Sequence, residues 1–130
     1  MIIGLTGKAG AGKSTVAHLI NAAYDVPRTS FSKPIKDMLV TLGMGEYWID
    51  NPTQKNIQHK ELYGQSIRQW MQTLGTEWGR KMINENVWID FWKRENCHLK
   101  IVVIDDVRVR NEAMQILGRG GELWKIEREY

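Results

Sequence analysis

The chain has 130 residues, 42% of them hydrophobic and 25% charged, with a net charge of +3 and a single cysteine. That composition describes one ordinary globular domain and excludes an intrachain disulfide, leaving Cys97 as a structural or incidental thiol. No apolar run reaches the length of a signal-peptide core or a membrane span, so a cytoplasmic location is expected, and the mild, scattered basic charge suits phosphate-bearing small molecules at least as well as nucleic acid.

The first predicted element is a buried strand over residues 2–6. It opens into Gly7-Lys8-Ala9-Gly10-Ala11-Gly12-Lys13-Ser14-Thr15, and a helix follows over about 13–23 with Val16, Ala17, Leu19, Ile20 and Ala23 as its apolar face. Gly7-x-x-x-x-Gly12-Lys13-Ser14 between a strand and a helix fits the phosphate-binding P-loop pattern. Glycines leave no Cβ in the way, so the successive backbone N–H groups of Gly7, Ala9, Gly10, Ala11 and Gly12 can turn inward around a phosphate. The helix adds its unpaired N-terminal amides and the positive end of its dipole. Lys13 can reach the β- and γ-phosphates of a nucleoside triphosphate, and the Ser14 hydroxyl can ligate Mg²⁺. The competing reading is a glycine-rich turn with a solvated lysine.

Asp25-Val26-Pro27 ends that helix, and Arg28-Thr29-Ser30-Phe31 is a candidate second strand. Ser32 reads as an N-cap, with Lys33-Pro34 in the first turn of a helix to about Leu42. Residues 43 to about 58 lack a regular pattern; Tyr47 and Trp48 within them are either lid residues or, the preferred reading, a local cluster. A helix is predicted over 66–77 and a further one over about 78–94. At about 100° per residue, Ile67, Trp70, Met71, Leu74 and Trp78 share one face. Arg68, Gln72, Thr76 and Arg80 fall opposite. Lys and Glu pairs are the usual content of a solvated face, whereas Arg and Gln suit the reading of a phosphate and a base edge. Gly75 and Gly79 mark either a break in the helix or a close backbone approach.

Ile101-Val102-Val103-Ile104 is a buried parallel strand in pattern, and it ends in Asp105-Asp106. An acidic pair there can hold Mg²⁺ through its water shell in a P-loop enzyme. Asp105 is the first candidate, Asp106 the alternative, and a turn or cap carboxylate the competing reading. Arg108 and Arg110 can stabilise a transferring phosphoryl group or clamp a substrate phosphate, although a solvated arginine is the preferred reading of Arg110. A helix over 109–117 stops at Gly118, and Leu123–Ile126 is the fourth strand candidate. Alternating strands and helices predict an α/β fold in three layers: a short, mostly parallel sheet of about four strands flanked by helices. Ligands in such folds bind beyond the carboxyl ends of the strands, where the P-loop and Asp105-Asp106 both lie. The whole chain is expected to be one domain, with about 43–100 as a helical acceptor-binding or lid insertion.

Three stretches together resemble the deoxynucleoside monophosphate kinases of bacteriophages and prophages: Gly7–Thr15, Ser66–Arg80 with its Gln-x-Leu-Gly-Thr-Glu-x-Gly-Arg run, and Ile104–Ala113. Ile83–Trp88 and Ser32–Lys36 look similar as well. The resemblance implies a P-loop nucleoside monophosphate kinase fold and phosphoryl transfer from ATP to a deoxynucleoside monophosphate. It implies that Lys13, Ser14 and Thr15 hold ATP and Mg²⁺, and that Arg68, Gln72, Thr76 and Arg80 contact the acceptor. Lys8 and Lys33 would reach the acceptor phosphate, with Asp105, Asp106 and Arg108 beside the transferred group. Family members often carry an aromatic-proline pair where this chain has Val109-Arg110, and they usually continue past the last strand. Two alternatives stand beside this reading: another small-molecule kinase of the dephospho-coenzyme A kinase type, and a nucleotide-binding module or ATPase without kinase turnover. The six tryptophans leave room for a homodimer surface, with core packing the preferred use.

Overall fold

The structure, a computed structural model, describes residues 1–128. Four strands form one sheet: β1 (Ile2–Thr6), β2 (Arg28–Thr29), β3 (Val102–Ile104) and β4 (Glu122–Lys125). Their order is β2-β3-β1-β4, and every neighbouring pair is parallel. This is the α/β architecture expected from the alternation of strands and helices. The last strand begins and ends one residue earlier than its apolar run.

The chain divides into two compact units, Met1–Phe31 with Ile89 onward, and Ser32–Trp88. The first unit holds the sheet, α1 (Lys13–Tyr24), most of α5 (Val87–Asn96) and α6 (Arg110–Gly118). Side chains alternate across a strand. In β3, Val102 and Ile104 therefore join Phe31, Ile89, Trp92, Val107 and Ile116 in one cluster, while Val103 joins Ile3, Leu5, Ala17 and Val26 in another. The two central strands are covered on both faces, which is why β1 and β3 are mostly apolar, whereas the edge strands β2 and β4 are more polar and more exposed. The stripe of α1 that meets the sheet is narrower than expected: Ala17 is buried with Val16 and Ile20 beside it, whereas Leu19 and Ala23 are exposed.

The second unit is built from α2 (Lys33–Thr41), α3 (Glu46–Asp50), α4 (Ile67–Gln72) and the helical stretch Thr73–Ile83. Its core joins Leu39, Met44, Ile49, Leu62 and Ile67, with Trp48, Trp70, Met71 and Leu74 packed against them. Ser32 sits at the N-cap position of α2 without a capping side-chain hydrogen bond. Residues 43–58, irregular in pattern, contain α3 and a short 3₁₀ turn at Gln54–Asn56. Trp48 there stacks on His59 at 4.3 Å, so it is a packing residue, while Tyr47 is exposed.

The largest departure from expectation lies at 66–94. The predicted break near residue 77 is absent. A capping box starts α4, with Ser66 Oγ accepting from Gln69 N–H and Gln69 Oε1 accepting from Ser66 N–H. The helix then continues as a π-helix over Thr73–Ile83, closed by Asn84 N–H donating to Gly79 O, five residues back, at 3.0 Å. Gly75 and Gly79 mark close approach, not a break. Trp88 Nε1 donates to Gly75 O at 2.8 Å, and a Cβ on Gly79 would stand 2.5 Å from the Trp88 ring.

Tryptophans divide accordingly. Trp88 and Trp92 are buried, Trp48 and Trp70 half-buried, and Trp78 and Trp124 exposed. Among the described residues no helix is long and apolar enough to cross a membrane.

Candidate functional site

At the carboxyl end of β1 the chain turns through Gly7, Gly10 and Gly12, all with positive φ. Gly7 is also a point of contact: a Cβ there would lie 2.5 Å from Ile126 O. The Ala11 N–H donates to Lys8 O, and the Val16 N–H donates to Gly12 O to begin α1. Lys13 Nζ folds back over the loop and donates to Gly7 O at 2.7 Å. No acidic side chain occupies the first turn of α1, so its positive dipole end is not offset there. Ser14 and Thr15 are exposed in that turn, and Lys8, Ala9 and Gly10 are exposed on the loop.

β3 runs beside β1 in parallel register, with Gly4 opposite Ile104, and so delivers Asp105 and Asp106 to the same end of the sheet. Arg28 Nε bonds Asp105 Oδ2 at 2.6 Å. Asp106 Oδ1 accepts from the Phe31 N–H at 2.8 Å. The segment carrying Arg108 is held by Glu112, which is 2% exposed and whose Oε1 accepts from the N–H groups of Arg108 and Val109 at 2.9 and 3.1 Å. The arginine side chains of Arg108 and Arg110 are exposed. Electrostatics ties this group to the loop. Partial burial, and next the Arg108 guanidinium, hold the Lys13 ammonium below the usual lysine range, against the pull of Asp106 and then Asp105.

Whether these residues fit Mg²⁺ turns on their donor set. Among the described residues no group of three or more His, Cys, Asp or Glu converges. Two carboxylates and the Ser14 hydroxyl at one end of the sheet suit an ion that keeps several waters and binds through one or two carboxylates plus substrate phosphates. The set fits Mg²⁺.

In the second unit Arg68, Gln72, Gln65, Gln69 and Thr73 line an open cleft of about 480 Å³. Arg68 Nε donates to Asn56 Oδ1 at 2.7 Å, which orients the guanidinium. Further along, the half-buried Arg80 donates from Nη1 to Thr76 Oγ1 at 3.3 Å. The π-helix bears on this arrangement. In an unbroken α-helix Arg80 would be rotated about 120° from Arg68, but eight residues at roughly 80° each after Gln72 reduce that to about 40°. The four polar residues stay on one face. The same change carries Trp78 off the apolar face, where it is 40% exposed and tilted against Trp88 at 6.3 Å.

Lys13, Asp105, Asp106 and Arg108 are thus gathered around the loop in the first unit. Arg68 and Gln72 share the cleft in the second, with Thr76 and Arg80 along the same helix. Lys33 is not among the cleft residues; it pairs with Asp37 at 2.6 Å on the exposed side of α2. Residues that sequence reasoning passed over are Arg28, Glu112, Gln65, Gln69 and Asn56. Only Gln69 left a signal, the Ser-x-x-Gln spacing of a capping box.

No family model matches the chain. A protein of Acanthamoeba polyphaga mimivirus named as a deoxynucleotide monophosphate kinase is 31% identical over 144 residues, which cover 98% of this chain and 74% of that protein. The deoxynucleoside-5'-monophosphate kinase of Escherichia phage T5 is 29% identical over 174 residues, 86% of this chain and 70% of the phage protein.

Proposed function

The chain belongs to the deoxynucleoside monophosphate kinase family, and we propose that it transfers the γ-phosphoryl group of ATP to a deoxynucleoside monophosphate, giving ADP and the deoxynucleoside diphosphate. The single observation that carries this reading is the loop itself: a strand–loop–helix cradle with Lys13 folded across it and Asp105, Asp106 and Arg108 within its electrostatic reach. The reaction belongs in the cytoplasm, where both nucleotides are available, and needs neither nucleic acid nor membrane.

In the donor half, the amides of Gly7–Gly12 and the first turn of α1 receive the triphosphate. Lys13 exchanges its bond to Gly7 O for phosphate oxygens. Its partial burial sharpens that exchange, since a phosphate replaces lost solvation. When bound, Mg²⁺ neutralises charge on the β- and γ-phosphates, and Ser14 and the acidic pair are the residues to hold it. Asp105 bonds Arg28 and Asp106 bonds the Phe31 amide, and both lie close enough to Lys13 to act on its charge, so either carboxylate is a candidate for the metal's water shell. Arg108 stabilises the charge of the transferring group.

In the acceptor half, Arg68 pairs with the monophosphate and Gln72 reads the base edge. Thr76 and Arg80 extend the same face. Lys8 and Lys33 are further candidates for the acceptor phosphate. Phosphoryl transfer asks for little covalent chemistry, so the protein's contribution is to hold both nucleotides in line and exclude water. A strong general base is not needed.

The test is product formation from Mg²⁺-ATP with each deoxynucleoside monophosphate in turn, with Lys13→Ala and Arg80→Ala beside the wild type. Diphosphate product from at least one acceptor, lost in both variants, is the expected result. ATP binding with no product from any acceptor would overturn the proposal.

A further inference from the structure

β4 pairs with β1 in parallel, with Lys125 opposite Thr6, and the Ile126 N–H donates to Thr6 O at 2.8 Å. The chain therefore leaves β4 at the same end of the sheet where β1 opens into the phosphate loop. Ile126 O touches the loop at Gly7, as described above. Two residues on, Arg128 Nη2 lies 3.9 Å from the point where a Cβ on Gly12 would stand. The guanidinium thus rests against the last glycine before Lys13.

Its charge is not spoken for. Lys125 and Glu127 neutralise one another at 2.8 Å on the exposed surface. Asp105 takes Arg28 and Asp106 takes the Phe31 amide. Arg128 makes no hydrogen bond or ion pair among the described residues. Three positive features then meet at one loop: the Lys13 ammonium, the N-terminal end of α1, and the Arg128 guanidinium. Such an arrangement favours an anion at the loop, and a guanidinium offers a planar fork matched to phosphate oxygens.

We propose that Arg128 is a donor-phosphate ligand, binding the polyphosphate tail of the triphosphate from the β4 side of the loop. The inference rests on the phosphate-binding role proposed above for Gly7–Thr15. Local pattern does not reveal it, because Arg128 meets Gly12 only through the pairing of β4 with β1.

Inorganic pyrophosphate separates a phosphate contact from any contact with the base. Binding of pyrophosphate and of Mg²⁺-ATP would be measured by titration calorimetry for the wild type, Arg128→Ala, Arg128→Lys and Lys13→Ala, with circular dichroism to confirm the fold. Arg128→Ala is expected to weaken both ligands by about ten- to a hundredfold, the range for a charge-assisted hydrogen bond. Arg128→Lys should recover part of the loss, since it keeps the charge and not the fork. The KM for the acceptor should not move. Unchanged pyrophosphate affinity in Arg128→Ala would overturn the proposal, whether or not ATP affinity falls. Pyrophosphate binding by the wild type that is lost in Lys13→Ala but kept in Arg128→Ala would leave the loop assignment standing and sink the Arg128 assignment alone. No pyrophosphate or ATP binding by the wild type would sink both.

Discussion

Two stretches carry most of the residues assigned here to ligands, and they are made in different ways. The loop Gly7–Thr15 is shaped by its own backbone: three glycines at positive φ, and a lysine that bonds to a carbonyl six residues away. The helix Ile67–Ile83 is shaped by something outside it, the Trp88 ring laid on Gly75 and Gly79. A local device survives any surroundings that leave it room. A packed device holds its register only while its partner stays in place.

The largest effect expected is on the loop. Lys13→Ala should lower kcat by at least about 10²–10³, the scale for losing a preorganised charge at a transition state. Thermal stability should barely change, because the side chain makes only one bond to the protein. A large fall in melting temperature in this variant would mean that the loop too depends on packing.

Next comes the helix. Gly79→Ala puts a Cβ against the Trp88 ring, and overpacking of this kind costs about 1–3 kcal/mol. Thermal denaturation should report that loss, whereas pyrophosphate binding by the folded protein should match the wild type. If pyrophosphate binding fell as well, the distinction between the two stretches would not hold.

If the cleft lined by Arg68 takes the acceptor as proposed, Arg68→Ala should raise the KM for the deoxynucleoside monophosphate by about tenfold and leave the KM for ATP unchanged. An equal rise in both would reassign the cleft.

The pH dependence sharpens the picture of Lys13. Its ammonium titrates below the usual lysine range, so in the free protein it loses its proton earlier than a solvated lysine would. Bound phosphate holds the proton on. Affinity for ATP should therefore be full below that lowered pKa and decline as pH rises through it. Asp106 raises the Lys13 pKa, so Asp106→Asn should start the decline at lower pH, whereas Arg108→Ala should delay it. Pyrophosphate titrations across the alkaline range would read both shifts. The smallest effect belongs to Lys33→Ala, whose exposed i,i+4 pair with Asp37 is worth about 0.5 kcal/mol or less in denaturant unfolding.

The same division explains what could be read in advance. The P-loop was legible because spacing and residue type dictate its backbone directly. The order of alternating elements was legible because a β-branched run such as Val102–Ile104 has no stable place except inside a covered sheet. Asp105 and Asp106 followed from that, as the residues just past a strand end. The helix break expected near residue 77 was misplaced for the opposite reason. Two glycines in a helix weaken it by propensity, and only Trp88, at the start of the next helix, turns that weakness into a docking surface. Trp78 moved off its expected face with the change of helical register.

The amino-acid sequence alone thus specifies the glycine-rich loop and the alternation of strands and helices, because each rests on contacts between near neighbours or on simple periodicity, while the family follows from the resemblance of three stretches and from the similarity to known kinases. The pairing of Arg28 with Asp105, the hold of Glu112 on the Arg108 segment, the π-helical register and the place of Arg128 beside Gly12 were decided by the tertiary structure. Two of these four depend on segments distant in the chain, and the π-helical register depends on the adjoining helix. Even the local one, Glu112, acts only because its carboxylate is buried. Packing selects among partners that a local pattern leaves equivalent.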